Sequence, residues 1–199
     1  MSNRKLLSAA FLTIIFLCCS FAARAQSPIP ASWKTYSGAA FSFRYPPNLI
    51  LKIKKNQIEL SHTVRFRHTD PCDANDNPQK LDRLEDFNVT FTVEKSSVNV
   101  GAGEVTKEDW ETTSEGLIDT GNLQGNVMLN TAEGCGQYVY SFLAKSGKTL
   151  KIQRLQISLF NPTSFQYGDD KRALKLKSVI TPKQENQTFK SIVESIKFK

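Results

Sequence analysis

Two cysteines limit the possible folds of this chain more than any other feature of its sequence. The chain has 199 residues and four cysteines, of which Cys18 and Cys19 lie in an apolar N-terminal segment that we expect to be removed. The remaining pair, Cys72 and Cys135, stands 63 residues apart. An even number of cysteines in an exported chain predicts a disulfide, which over a loop of this length stabilises the fold by about 4 kcal/mol. The alternatives are two free thiols or two halves of a metal site.

The N-terminal segment has the three parts of a secretory signal. Arg4 and Lys5 precede an apolar core over residues 6–19, and Ala23-Arg24-Ala25 is a small-x-small cleavage motif. We predict cleavage after Ala25 and a secreted or periplasmic protein, with an uncleaved anchor or a lipoprotein as alternatives. No later apolar run reaches membrane-spanning length, so no transmembrane segment is expected after cleavage. The predicted organisation is a signal peptide over 1–25, an extended leader over 26–32 and a single domain over 33–199.

Removing the signal also lowers the positive charge of the chain. The formal net charge falls from +7 to +4 on 174 residues, which does not indicate nucleic-acid binding. A basic run at 171–177 could form a surface for an acidic partner or for anionic lipid headgroups, and an ordinary solvated face is the alternative. Its cations, with three others that could join them, are Lys171, Arg172, Lys175, Lys177, Lys52, Lys54 and Lys55.

The stretch around Cys135 predicts a central β-strand. Tyr138, Tyr140 and Phe142 alternate with Val139, Ser141 and Leu143, so both faces are largely apolar and both are expected to be covered. The same alternation or a neighbouring turn predicts further strands over 39–45, 49–53, 57–66, 87–93, 122–130 and 149–160, with a bulge near Gln153-Arg154.

Three helices are predicted beside these strands. The first spans 79–86, and the second begins near Thr106. The third begins after Thr181, which can cap it with Pro182 and Gln184 in a capping box. Its apolar stripe is Phe189, Ile192, Val193 and Ile196. The expected fold class is therefore α+β, an antiparallel sheet flanked by helices.

The loop that contains Cys72 holds the candidate functional residues, which are His68, Asp70, Asp73 and Asp76. An EF-hand is excluded, because Pro78 stands where its glycine is needed and Leu84 where its bidentate carboxylate is needed. A looser calcium site in residues 68–77 and simple solvated turn chemistry remain as readings. His62 cannot join His68 on one metal, because six strand residues span about 20 Å. No catalytic, cofactor-binding or metal residue is assigned, and no cofactor is predicted.

Three stretches together resemble a known family. These are Phe41-Ser42-Phe43-Arg44-Tyr45-Pro46, Gly136-Gln137-Tyr138-Val139-Tyr140 and residues 189–198 at the end of the chain. Their order is similar to that in PsbP-like domains, which occur in thylakoid-lumen proteins of photosystem II, in a nuclear Ran-binding protein and in small exported bacterial proteins. The resemblance implies an α/β/α sandwich and a role in binding or assembly, and it carries over no functional residue.

These observations predict an exported, non-catalytic binding or assembly protein that acts on a protein partner or at an envelope surface. One alternative is a hydrolase-type enzyme with a site near His68, Asp70 and Asp73. Another alternative is a carrier of a small ligand or lipid, which an apolar cavity under Trp33 or Trp110 would favour.

Overall fold

The computed structural model describes residues 29–95, 105–132, 135–144, 148–161 and 170–199. The predicted signal peptide, the cleavage point after Ala25 and the first part of the leader, residues 26–28, lie outside these ranges.

Strands make up most of the described chain. Its α-helices are α1 (Asp170–Ala173) and α2 (Pro182–Glu194), and short 3₁₀ segments occupy Trp110–Thr112 and Ser158–Phe160. The strands are β1 (Lys34–Ser37), β2 (Phe41–Tyr45), β3 (Ile50–Lys54), β4 (Gln57–Thr69), β5 (Lys80–Glu94), β6 (Val105–Thr106), β7 (Glu115–Asp119), β8 (Gln124–Ala132), β9 (Cys135–Leu143), β10 (Thr149–Leu155) and β11 (Lys197–Phe198).

The strands form two sheets. The large sheet has the order β3-β4-β5-β10-β9-β8-β7-β6, and its pairs are antiparallel except for the parallel pair β6–β7. The small sheet has the order β1-β2-β11. Residues 62–69 of β4 and 80–87 of β5 pair with each other and, in the described part of the chain, with no third strand. We call this two-stranded extension of the sheet the arm.

The main core lies between one face of the large sheet and a layer made of α2 and the small sheet. Phe43 of β2 stacks on Phe91 of β5 with ring centroids 4.7 Å apart. Phe189 of α2 lies 5.0 Å from Tyr140 of β9, again between ring centroids. A second, smaller cluster packs the arm against the chain after β10, and its buried members are Val64, Leu84, Leu159, Ala173 and Val179.

The predicted α+β class, an antiparallel sheet flanked by helices, is wrong. The described chain is mainly β, with a large mixed sheet and two helices, of which only α2 is longer than a turn. The layer opposite the large sheet is therefore built partly from strands, and the expected α/β/α sandwich is not formed.

Two of the predicted helices are strands or turns. Residues 80–86 of the first predicted helix belong to β5, and the segment after Thr106 contains the 3₁₀ turn at Trp110 and then β7. In β5 the alternation of buried side chains shifts by one residue at Asp86, so that Leu84 and Phe87 face the same side. The helix prediction depends on Leu81 and Leu84, whose spacing of three residues is helical in a regular pattern. In β5 Leu84 is buried whereas Leu81 is only half-buried, so the two do not form one buried helix face.

Other local predictions are confirmed. The strands predicted over 49–53 and 57–66 are β3 and β4, which pair as a hairpin that turns at Lys55, whose φ of 49° is left-handed. The predicted central strand around Cys135 is β9, which pairs with β10 and β8. Helix α2 begins at a complete capping box between Thr181 and Gln184. The bulge near Gln153-Arg154 is wrong, because β10 keeps one register with both neighbours until it ends at Leu155.

The expectation that both faces of β9 are covered is also wrong. Tyr140 and Phe142 are fully buried, whereas Leu143 on the opposite face is 45% exposed. The apolar content of that face therefore does not mark a second buried layer over the described chain.

Candidate functional site

A β-bulge in the arm creates the most unusual polar arrangement of the described chain. His62 of β4 pairs with Phe87 of β5, and Thr63 pairs with Glu85, so Asp86 has no partner across the ladder. Asp86 and Phe87 are adjacent in sequence and both are fully buried. Because side chains of a regular strand alternate between faces, only the bulge can turn this carboxylate inward beside a core phenylalanine.

The buried Asp86 carboxylate accepts two hydrogen bonds. One oxygen lies 2.6 Å from His62 Nδ1, and the other accepts the backbone N–H of Ile180 at 2.7 Å. An acceptor-only carboxylate is matched by an Nδ1–H donor at this distance, so we assign the ring proton of His62 to Nδ1. The ring is then fixed in orientation, and Nε2 is the nitrogen that can meet another molecule.

Local sequence signals explain why Ile180 is available to Asp86. Thr181 caps α2, and its own backbone N–H is held by the Gln184 side chain at 3.0 Å. Ile180 therefore lies just before the helix, where its N–H has no helical partner, and the Asp86 oxygen accepts it. One carboxylate thus joins the arm, the chain before α2 and the imidazole.

His62 lies in the wall of a cavity of about 490 Å³. The cavity is bounded by the chain before β1, the turn after β2, the arm, the segment before α2 and the first two turns of α2. Its lining residues are Trp33, Pro46, Asn48, His62, Lys177, Ser178, Val179, Ile180, Gln184 and Thr188.

The lining is polar on most sides and has one aromatic wall. Gln184 and Thr188 stand four residues apart on α2, so they share a helix face that differs from the face of Phe189. Among the described lining residues none is acidic, and the ionisable ones are His62 and Lys177. The cavity therefore offers hydrogen-bond donors, a cation and an imidazole beside the indole of Trp33.

The residues predicted from sequence as a functional loop do not converge on one point. His68 is buried at 4% exposure, and its Nδ1 lies 3.0 Å from the carbonyl oxygen of Phe66. Asp70 accepts the N–H of Cys72 at 2.9 Å. Among the described residues no group of three His, Cys, Asp or Glu side chains is placed to hold a metal ion. A functional role for His68, Asp70, Asp73 and Asp76 stays a prediction.

Asp73 is engaged in the turns of this loop. Its two oxygens accept the N–H of Gln79 at 2.9 Å and the N–H of Asn75 at 3.1 Å. These two backbone donors, that of Gln79 first, hold the pKa of the Asp73 carboxyl below its ordinary value. The carboxylate shapes the loop through these bonds.

The predicted disulfide between Cys72 and Cys135 is confirmed. Their Cα atoms are 5.7 Å apart. The bond ties the loop at the tip of the arm to the first residue of β9, at the opposite end of the arm from its root in the large sheet. It therefore supports the arm, whose bulge carries Asp86.

A buried ion pair lies on the other side of α2. Arg154 of β10 donates from Nε to Glu185 at 2.8 Å and from an Nη to the carbonyl of Glu111 at 2.7 Å, and it also contacts Asn186. Burial alone would lower the pKa of the Arg154 guanidinium, but the Glu185 carboxylate outweighs it and raises that pKa. With its three nitrogens all donating, this group anchors α2 to the sheet.

The two tryptophans differ in what surrounds them. Trp110 is 1% exposed and packs against Tyr140, Phe142 and Phe189, so the core fills the space beside it. Trp33 borders the polar cavity described above.

Sequence reasoning missed both polar centres. His62 and Asp86 are 24 residues apart, and Ile180 is a further 94 residues along the chain. The one usable signal was the broken alternation at Asp86-Phe87, where a carboxylate stands next to the cleanest strand pattern of the chain.

Comparison with known proteins identifies no family for this chain. No family model matches it, and no curated protein matches it. A solved structure of a protein from Bacteroides thetaiotaomicron is similar with a TM-score of 0.42 and 10% identity, over 84% of this chain and 49% of that one. The chain thus spans about half the length of that protein, and the likeness is too low to support an argument. The resemblance to PsbP-like domains stays a prediction.

In the described part of the chain, no helix combines the length and the apolar character that crossing a membrane requires.

Proposed function

We propose that this protein is an exported binding protein and that the cavity beside His62 binds a small ligand. The observation that carries the proposal is the fully buried Asp86 carboxylate, which fixes the His62 ring in the cavity wall. Burying a carboxylate is costly unless it is fully hydrogen-bonded, and a bulge is a common way to aim a side chain at a functional site. The two hydrogen-bond partners of Asp86, His62 and Ile180, both line the cavity.

The cavity has the size of a small-molecule site. Its volume of about 490 Å³ falls in the usual range of roughly 300–1,000 Å³ for such sites. Trp33 supplies an apolar wall, while Asn48 in the turn after β2 and Gln184 and Thr188 on α2 supply hydrogen-bonding groups. This favours a small polar ligand over the lipid of the carrier alternative.

Export is supported by the secretory pattern of residues 1–25 and agrees with the Cys72–Cys135 disulfide. A binding role agrees with the absence of any catalytic motif in the sequence. A protein partner or an envelope surface, the first expectation from the sequence, would be served by other faces of the molecule.

The test is ligand binding followed by tryptophan fluorescence. The chain has two tryptophans, and Trp33 borders the cavity whereas Trp110 lies in the core. A small-molecule library is screened by thermal shift with disulfide-bonded protein, and each hit is titrated by fluorescence. Replacing Trp33 with Phe is expected to remove most of the fluorescence change that the ligand causes.

A pair of serine variants controls for the location of binding. Ser178 lines the cavity and is exposed, so Ser178→Trp should fill the space and weaken binding at least tenfold. Ser114 is also exposed and is not among the cavity residues, so Ser114→Trp should leave the affinity unchanged. Equal affinities in both variants would mean that the ligand binds elsewhere and would reject this site.

A second candidate function, ester hydrolysis, is favoured by the hydroxyl groups of the same cavity. Ser178 and Thr188 line it together with His62, and Asp86 holds His62. Carboxylate, imidazole and hydroxyl are the groups of a nucleophilic triad. A fluorophosphonate probe should then label Ser178, with loss of labelling in Ser178→Ala and His62→Gln. Absence of labelling in the wild-type protein would reject the hydrolase.

A further inference from the structure

We infer that the ligand of the His62 cavity carries an anionic group, a carboxylate or a phosphate, and that its binding takes up a proton at His62. This inference rests on the proposed function and adds the chemical class of the ligand. It follows from three properties of the described lining residues, which are their charges, the fixed orientation of the imidazole and the position of the aromatic wall.

The first property is the charge of the lining. Lys177 is cationic, His62 can become cationic, and the other lining residues are uncharged. A cationic ligand would meet Lys177 without any carboxylate in the wall to balance it. An anionic ligand would meet an ammonium group, an imidazole and several side-chain donors, and hydrogen bonds between charged partners are about twice as strong as neutral ones.

The second property is the way Asp86 orients His62. With the ring proton on Nδ1 and hydrogen-bonded to Asp86, Nε2 of the neutral ring can only accept a hydrogen bond. Nε2 becomes a donor when the ring is protonated. A carboxylate or a phosphate dianion has acceptors alone to offer, so it binds the protonated ring. Anion binding and protonation of His62 are therefore coupled, and each must favour the other by the same factor.

In the described part of the chain, one charged group contacts the His62 ring and one further cation lines its cavity. Asp86 lies on β5 and is hydrogen-bonded to the ring, and Lys177 lies in the segment before α2. The lining residues on α2, in the chain before β1 and in the turn after β2 are uncharged. With the ring protonated, His62 and Asp86 form a neutral pair, and the ligand anion then balances the charge of Lys177.

The third property is the aromatic wall. Trp33 is half-buried, packs against the core on one side and borders the cavity. An indole face favours a flat or ring-shaped apolar body in the ligand. Aromatic carboxylates and aryl phosphates combine such a body with the anionic group, and they serve as probes of the inference.

The experiment compares anionic probes with neutral probes that keep the same aromatic ring. Benzoate is paired with benzamide and phenyl phosphate with phenol, and each is titrated at pH 5.5 and pH 8 into disulfide-bonded protein labelled with ¹⁵N in its histidine rings. The chain has two histidines, so the ring signals are assigned with His62→Gln and His68→Gln. The two anionic probes show whether a carboxylate or a phosphate is preferred.

The expected result has three parts. At least one anionic probe binds about tenfold tighter at pH 5.5 than at pH 8, because anion binding and protonation of His62 favour each other. Saturation at pH 8 moves the His62 Nε2 signal to its protonated position and leaves His68 unchanged. Lys177→Gln lowers the affinity for the anion about tenfold and keeps its pH dependence. Lys52→Gln, at an exposed lysine of β3, changes neither the affinity nor its pH dependence.

Two results would overturn the inference and are distinguishable from failure of the proposed function. If neutral probes or neutral library hits bind in this cavity with an affinity equal to that of the anions, the cavity is a site for another class of ligand. If an anion binds while the His62 ring stays neutral, the coupling is wrong. If neither the probes nor the library bind, the proposed function itself fails and this inference fails with it.

Discussion

Replacing Asp86 with alanine should lower the free energy of unfolding strongly, because this one side chain makes two buried hydrogen bonds. The variant removes the acceptor of the buried Ile180 N–H and the partner of His62 Nδ1, which lie at 2.7 Å and 2.6 Å from the carboxylate oxygens. A buried donor left without a partner costs about 1–3 kcal/mol, and a hydrogen bond to a charged group is worth about 1.5–3 kcal/mol. His62 is 15% exposed and recovers part of its loss from water. We expect a total of about 3–4 kcal/mol.

Asparagine at the same position separates the hydrogen bonds from the charge. The amide oxygen of Asp86→Asn can accept the Ile180 N–H, and its NH₂ can donate to His62 Nδ1 once the ring proton has moved to Nε2. Both bonds survive in this form, so we expect a loss of only about 1 kcal/mol. The ring tautomer should also change, which ¹⁵N spectra of His62 would show directly.

Urea unfolding measures these differences, with the m-value expected to stay constant. Asp82→Asn is the control, because Asp82 is 85% exposed and its closest cation, Arg67, is 3.9 Å away. It should change the free energy of unfolding by less than about 0.5 kcal/mol. The reasoning is refuted if Asp86→Ala costs less than about 1 kcal/mol, or if alanine and asparagine cost the same.

Three further predictions concern other polar groups of the structure. Breaking the buried ion pair with Arg154→Met should lower the free energy of unfolding by about 3–5 kcal/mol, because it leaves the Glu185 carboxylate buried without its partner. The double variant with Glu185→Leu should recover most of the loss, and chemical denaturation of the single and double variants measures both effects. Replacing the cap residue Thr181 with Ala should lower the free energy of unfolding by about 1 kcal/mol, and an unchanged urea midpoint would contradict the role of the capping box. Asp73 has a lowered pKa in the folded state, so its contribution is present above the unfolded pKa of about 4 and is lost as the pH falls through the folded value. Melting temperatures from pH 2 to pH 6 should therefore show Asp73→Asn below the wild type at pH 6 and equal to it at the acid end, and a constant difference across this range would speak against the turn hydrogen bonds.

The placement of the candidate site explains why local patterns pointed elsewhere. The acidic loop around Cys72 is dense in polar residues, but its Asp70 and Asp73 oxygens hold backbone N–H groups of the same loop. Turn-forming sequences use the same residue types as binding sites, so composition alone does not separate the two. Asp86, by contrast, looks like an ordinary polar residue at the start of a strand, and its burial becomes visible only when the bulge is known.

The elements that the sequence determined are those whose signals lie within a few residues. Helix α2 begins where its capping box and proline predict, its stripe of Phe189, Ile192 and Val193 is buried, and the alternating residues of β2 form a strand. The disulfide also follows from counting cysteines in an exported chain. In each case a short segment satisfies its own backbone or buries its own apolar face, so tertiary structure had little to alter.

Only the tertiary structure decided the fold class and the candidate site. Leu81 and Leu84 have a spacing that suits a helix, but pairing with β4 makes residues 80–86 part of strand β5. A bulge in this strand leaves Asp86 without a partner on β4. The site then joins that bulge to His62 and to Ile180, which are distant in sequence. Non-local pairing is favourable only once the chain is folded, and a buried carboxylate is tolerated only where the fold supplies its donors.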